Sequence, residues 1–324
     1  MRVEKVPLDQ AVGHILLHNQ IGSEGRKVLK KGHLLTEADL PALQAVGQTE
    51  VYVAILTEED IPENEAARRL GEVIAGDHLV ASTATTGRVN LMAAAAGLFK
   101  VNRPALLEFN DRPGITLATI PDNSLIQPKK IVATIKIIPY SVPRPELAAA
   151  EAVVRAGQPL VQVKPFVVRR AVLITTGSQA ARQNVLDSFT PALRDRLTSY
   201  QADMVEGPYV PEDEARISAA LQWALEQGAE LIVIAGETSI MDLDDLTPRA
   251  IKAVGGELVH HGVPVEPGNL LLLAYIKDVP VVGAPGCARS KNYNVVDMVL
   301  PRLAVGERLT RRDLIELGHG GLLK

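Results

Sequence analysis

The chain has 324 residues, 47% apolar but only 3% aromatic, with a formal net charge of −4. That length allows two or three domains whose cores rely on Val, Ile, Leu and Ala, and the mild acidity argues against a protein that coats nucleic acid. The single cysteine, Cys287, rules out an intrachain disulfide and suits a reducing cytoplasm. No apolar run reaches the ~18 residues of a membrane helix, and the N-terminus lacks the h-region of a secretory leader. A cytoplasmic, soluble protein is expected, with neither nucleic acid nor membrane as partner.

Residues 1–60 mix short strands and turns. GRKVLKKGHLL (25–35) predicts a strand on each side of a Lys-Lys-Gly turn, its lysines protecting a hairpin edge. Thr36 reads as the cap of TEADLPALQAVG, which Gly47 ends. EVYVAIL (50–56) reads as a strand. Residues 61–145 read as a second α+β region. PENEAARRLGEVIAG is an amphipathic helix, and GRVNLMAAAAGLFKVN a second helix whose Ala-rich face suits close packing in a core or an interface. GITLATIP and KKIVATIKIIPYSVP alternate as strands. Pro139, Pro143 and Pro145 mark a boundary. PELAAAEAVVRAG then serves as a connecting helix and VQVKPF as a short strand.

From about residue 165 to 305 strands and helices alternate. RRAVLITTGS, VEGPYVP, ELIVIAGE, ELVHHGVPVEPG and LLLLAYIKDVPVVGAPG read as strands. NVLDSFTPALRDRLTSYQADM, with Pro191 near its first turns, EDEARISAALQWALEQGA, LTPRAIKAVG and NYNVVDMVLPRLAVG read as helices. The fold class expected is α/β: a mostly parallel sheet with helices on both faces, preceded by smaller mixed α+β regions and followed by a tail at 306–324.

Ligands of open α/β sheets bind beyond the carboxyl ends of the strands. Three such ends share one pattern, an apolar strand followed by glycine and small hydroxyls. They are Thr175-Thr176-Gly177-Ser178, Gly236-Glu237-Thr238-Ser239 and Pro285-Gly286-Cys287-Ala288-Arg289-Ser290. Backbone amides and hydroxyls in such loops suit a phosphate, and Arg289 is well placed to join them. The second loop runs into Asp242, Asp244 and Asp245. Helix-start acids are favoured by the dipole, and carboxylates beside a phosphate suit Mg²⁺. Asp245 and Asp242 are the metal candidates, and Asp242 or Asp244 can equally face solvent. Cys287 fits a small buried residue as well as a nucleophile. His260 and His261 are neighbours on a strand, so they point to opposite faces and do not easily share an ion. Trp223 is expected in the core.

GETSIMDLDDLTPRA resembles the signature of molybdopterin-binding domains, roughly "GGTG…RDVTPEA", with Gly236, Thr238, Asp245, Thr247 and Pro248 on matching positions. TTGS at 175–178 and PVEPGNLLLL…VVGAPGCARS resemble the first and last loops of the same domain. VPLDQAVGHIL and GRKVLKKGHLLTEADLPALQAVGQTEVYV resemble pieces of molybdopterin molybdenumtransferases. The whole chain looks most like the molybdopterin-binding part fused to a nucleotidyltransferase in some cofactor-maturation proteins. The resemblance implies a role in molybdenum cofactor biosynthesis, with molybdopterin or its adenylylated form as ligand and Mg²⁺ as a possible companion. It implies Asp245 as the catalytic or metal carboxylate. The ligand contacts would be Thr176, Gly177, Ser178, Gly236, Thr238, Ser239, Pro285, Gly286 and Arg289. Expected partners are a nucleotidyltransferase or other maturation protein and further copies of the chain. Three positions depart from the family: Glu237 replaces a second glycine, Ser178 and Gln179 stand where an acid usually follows, and Cys287 replaces a small or amide residue. These departures keep a non-catalytic sensor or carrier open beside a transferase. The Asp-Asp-Leu-Thr run keeps a competence-damage-type nucleotide pyrophosphatase as a third reading.

Overall fold

The computed structural model describes residues 1–22, 25–157 and 159–323, and the chain divides into the units Met1–Val163 and Lys164–Lys324. In the first unit, Arg2–Pro7 pairs antiparallel with Glu50–Ile55, whose other edge takes Ile15–Leu16. Their inward residues Val6, Leu16, Val51 and Val53 close on Leu8, Leu35 and Leu43. The Asp39 carboxylate accepts both the Thr36 amide (2.8 Å) and its hydroxyl (2.7 Å), which sets the turn into the helix Leu40–Ala45. The hairpin expected around Lys30 and Lys31 is different. Lys27–Leu29 pairs with Gln20–Ile21, upstream of it, and not across the Lys-Lys-Gly turn.

The rest of this unit corrects one expectation. GRVNLMAAAAGLFKVN is not helical but forms the strands Arg88–Ala93 and Gly97–Val101. Val89, Leu91 and Ala93 are buried and alternate with Arg88, Asn90 and Met92, a period of two that fits a strand with one covered face. Pairing to Ile131–Ile137 on one side and Leu79–Ala81 on the other overrides the helix preference of the alanines. There is thus no Ala-rich helix here to serve a core or an interface. The helices Glu63–Ile74 and Arg144–Arg155 form as expected, but the second is no connector, since its Leu147 and Ala150 are buried in the core of the first unit. They are clamped by Glu151, whose buried carboxylate meets Arg69 at 2.7 Å and Arg155 at 3.3 Å.

The second unit carries the α/β domain. Its elements in chain order are β1 (Arg170–Thr176), α1 (Arg182–Ser199), β2 (Asp203–Val210), α2 (Glu214–Glu226), β3 (Leu231–Gly236), α3 (Leu246–Ala253), β4 (Glu257–His261), β5 (Leu272–Ile276), β6 (Val279–Gly283), α4 (Val295–Ala304) and α5 (Arg311–Ile315). The six strands are ordered β2-β1-β3-β6-β5-β4. The first four run parallel, β5 runs antiparallel to them, and β4, paired antiparallel to β5, points the same way as the first four. β1 and β3 are buried almost from end to end, as expected of strands covered on both faces. Val172, Ile174, Ile232 and Ile234 pack against Ile217, Leu221 and Ala224 of α2 and Ala250 and Ile251 of α3. On the opposite face α1 and α4 are joined by Arg196 and Asp297 (2.8 Å). No helix of the described residues is long and apolar enough to cross a membrane.

Local signals explain most element ends. The Asp213 carboxylate accepts the Arg216 amide at 2.9 Å, and Gly228, at φ +73°, closes the far end of α2. Pro191 is the exception, since it lies in the middle of the 18-residue α1. The helix starts earlier than NVLDSF suggests, and Pro191 is exposed, so the carbonyl it leaves unpaired can be hydrated.

α5 carries a pH-sensitive contact. The Asp313 carboxylate accepts the Thr310 amide (2.9 Å) and hydroxyl (2.6 Å) and pairs with Arg302 at 2.7 Å. Burial pushes its pKa up, but these partners outweigh burial and hold it down at about 2. An unfolded Asp titrates near ~3.9. The contribution is therefore complete above about pH 4 and is lost as pH falls toward 2. The midpoint of thermal unfolding should drop over that window in the native protein, and Asp313→Asn should flatten the drop. An unchanged profile in the variant would remove Asp313 as its source.

Candidate ligand-binding site at the strand ends

From β1 the chain goes to β2 on one side and then crosses to β3 on the other. The ends of β1 and β3 thus flank a switch point, where an open α/β sheet leaves a crevice. Thr175 and Thr176 pair with Ala235 and Gly236, so the two hydroxyl-rich loops begin side by side. Gly236 is needed there because a Cβ would stand 2.2 Å from the Thr176 hydroxyl. Gly177 has φ +153°, and its Cβ would meet the Tyr209 hydroxyl at 2.5 Å and Glu237 Cβ at 2.9 Å.

A cleft opens at this point, lined by Thr176, Glu212, Ile217, Thr238, Ser239, Ile240, Asp245, Leu246 and Thr247. Its volume of about 90 Å³ is room for a phosphate-sized group, and it opens to solvent. Of the residues singled out in the sequence, Thr176, Thr238, Ser239 and Asp245 meet in this lining. Gly177, Ser178 and Gly236 belong to the loops beside it. Asp242, Pro285, Gly286 and Arg289 lie outside it. The third loop still approaches the second, because a Cβ on Gly286 would lie 3.8 Å from Ser239 Oγ and 3.7 Å from Arg289 Nη2.

Asp245 immediately precedes α3. Its Oδ2 accepts the amides of Met241 (2.7 Å) and Asp242 (3.1 Å), which folds the acidic turn back on the helix start. Asp242 Oδ1 accepts the Asp244 amide at 2.8 Å. Asp245 Oδ1 accepts no hydrogen bond from a described residue, so one oxygen remains for a ligand. Among the described residues no group of three or more His, Cys, Asp and Glu side chains is arranged to hold a metal ion. One or two carboxylates can hold Mg²⁺ when a bound phosphate supplies further oxygens, but of the two candidates only Asp245 lies on the cleft wall. Arg289 is exposed, donates from Nε to the Gly286 carbonyl (2.9 Å) and lies over the Phe189 ring at 4.9 Å. Cys287 is half-buried, and burial raises its thiol pKa, the opposite of what a thiolate nucleophile needs. His261 engages the Ile240 carbonyl at 3.0 Å. Trp223 packs partly buried against the core on the α2 face.

Sequence reasoning missed Glu212 and Arg196, and it marked Glu237 only as a departure from the family. Glu237 Oε2 accepts the Ser178 amide at 2.8 Å. Glu212 accepts the Thr238 amide at 3.1 Å and its hydroxyl at 2.7 Å. Arg196, buried on α1, donates to the Ala288, Ser290 and Asn292 carbonyls and so shapes the third loop. Glu212 stands next to the α2 cap and reads as one more helix-start acid. Nothing local marks Arg196.

Fold and site together define an α/β domain with a small crevice at a switch point of its sheet, where ligands of open α/β sheets bind. Residues 172–305 match the family described as "Probable molybdopterin binding domain", and residues 5–55 match a domain of unknown function. The match to that family is confined to the α/β domain. The molybdopterin molybdenumtransferase of Synechococcus elongatus is 27% identical over 110 residues, 32% of this chain and 27% of that protein. The molybdenum cofactor biosynthesis bifunctional protein of the same organism is 33% identical over 85 residues, 26% of each. The chain thus matches about a quarter of the length of these two curated relatives. The crystal structure of the molybdopterin biosynthesis enzyme MoaB from Thermus thermophilus is 20% identical with a TM-score of 0.33, covering 43% of this chain and 98% of that one.

Proposed function

We propose that the 165–305 domain binds molybdopterin, or its adenylylated form, as part of molybdenum cofactor biosynthesis. The observation that carries this reading is the position of the cleft. It lies at the switch point inside the segment that matches the family, with Thr176, Thr238, Ser239 and Asp245 on its wall. In this reading the hydroxyls of Thr176, Thr238 and Ser239 and the amides of Ser178 and Thr238 take the ligand phosphate. The free Oδ1 of Asp245 faces the group that reacts or the Mg²⁺ that escorts it. Arg289, released from Phe189, adds a guanidinium from the third loop. A molybdenumtransferase-like activity, a nucleotidyltransferase partner and self-association belong to the same proposal.

Anaerobic calorimetry with molybdopterin and with its adenylylated form, with and without Mg²⁺, tests it. Asp245→Asn and Ser178→Ala are each expected to weaken binding tenfold or more. Unchanged binding and unchanged cofactor production in both variants would remove the assigned site. Preference for the adenylylated form would favour metal insertion.

A second reading is a non-catalytic carrier or sensor. What favours it is the commitment of Asp245 Oδ2 to the Met241 and Asp242 amides, which makes the carboxylate a clasp of the turn before α3. Measurable adenylylation with ATP, or metal insertion with molybdate, would end this reading.

A further inference from the structure

The amides at the ends of β1 and β3 already have anionic partners. The Ser178 amide donates to Glu237, and the Thr238 amide and hydroxyl donate to Glu212. Each glutamate comes from the loop after another strand. Glu212 follows β2 and reaches the loop after β3, while Glu237 follows β3 and reaches the loop after β1. The Tyr209 hydroxyl completes the ring by donating to the Ser178 carbonyl at 2.7 Å. Both carboxylates are solvent-exposed, so each can swing into water at little cost, unlike a buried ion.

We propose that Glu212 and Glu237 are built-in occupants of the phosphate donors, and that they determine which anions the cleft accepts. A carboxylate and a phosphate oxygen compete for the same N–H groups with charge-assisted hydrogen bonds of similar strength. A tethered competitor acts at an effective concentration in the millimolar range or above. A small free anion therefore has to displace both glutamates with nothing else to hold it. A larger phosphorylated ligand brings further contacts on the cleft wall and can displace them. The device excludes inorganic phosphate and pyrophosphate from a site whose donors would otherwise take them. It rests on the reading that these loops receive a phosphate.

The test is calorimetric titration of the full chain with inorganic phosphate and with pyrophosphate at pH 7. The native protein should bind both weakly. Glu237→Ala should gain tenfold or more in affinity and Glu212→Ala/Glu237→Ala should gain further, with Glu237→Gln in between because it keeps a neutral acceptor. Asp244→Asn is the charge control. It removes one negative charge from the turn beside the cleft, gives up only a 4.0 Å contact to Lys252 and frees neither the Ser178 nor the Thr238 amide, and should gain less than threefold. Equal phosphate affinity in the native protein and the alanine variants overturns the proposal, and so does an Asp244→Asn gain as large as that of Glu237→Ala. Molybdopterin binding by the native protein reports separately on the function. Its loss there, with the phosphate gain intact, would leave the device standing and change only the ligand.

Discussion

Replacing Arg196 by alanine is expected to destabilise the unit Lys164–Lys324 by about 3–5 kcal/mol. The guanidinium is only 7% exposed and forks onto Asp297, with Nε to Oδ1 at 2.8 Å and Nη2 to Oδ2 at 3.0 Å. Nη2 also reaches the carbonyls of Ser290 (2.8 Å) and Asn292 (3.2 Å), and Nη1 that of Ala288 (3.2 Å). Alanine leaves a partly buried carboxylate without its cation and the Ala288 and Ser290 carbonyls without donors, while the Asn292 carbonyl keeps its bond from Asn294 Nδ2 (2.8 Å). The cost comes mainly from those stranded groups, since breaking one side of such a pair costs more than the pair contributes. Asp297 also holds the Asn294 amide at the start of α4 (2.9 Å), so the third loop and the helix after it should loosen together. Lysine should recover only part of the loss, because a point charge cannot fork. Urea unfolding gives the energy, and amide exchange across 284–297 gives the location. A loss below about 1 kcal/mol, the worth of an exposed ion pair, would contradict this account.

Gly177→Ala should cost about 2–4 kcal/mol, combining a left-handed backbone with overpacking. At φ +153° a side chain is strained whatever the space, and the Cβ would stand 2.9 Å from Glu237 Cβ and 2.5 Å from the Tyr209 hydroxyl. The tyrosine can turn away, at the expense of its bond to the Ser178 carbonyl. Glu237 moves only with its loop, which also carries Thr238 and Ser239. The substitution is therefore expected to abolish ligand binding as well as lower stability. Thermal unfolding and ligand calorimetry on one preparation would separate the two effects. A variant that unfolds like the native protein would show that the loops are more compliant than their spacing implies.

Much of the C-terminal unit is legible in the sequence. β1 and β3 are continuous apolar runs, α2 has its Asp213 cap and Gly228 stop, and the strand–helix alternation fixes a mostly parallel sheet. The three glycine–hydroxyl loops can be found the same way, because glycine and small polar residues after a buried run mark a strand end. The first unit is less legible. In GRVNLMAAAAGLFKVN local preference and final structure conflict, and a strand forms because two neighbouring strands supply its hydrogen bonds. Alanine has no side chain bulky enough to decide the matter alone.

The site divides in the same manner. The sequence by itself determined which loops carry donors and that Asp245 stands at a helix start, because those are properties of adjacent residues. Only the tertiary structure decided that Thr176, Thr238, Ser239 and Asp245 share one cleft while Arg289 rests on Phe189. It also decided that Glu212 and Glu237 occupy the donors, and that Arg196 holds a loop about a hundred residues away. A side chain's partner across the sheet depends on strand order and register. Those are set by the packing of the whole unit, and the few residues on either side of a glutamate or an arginine carry no trace of them.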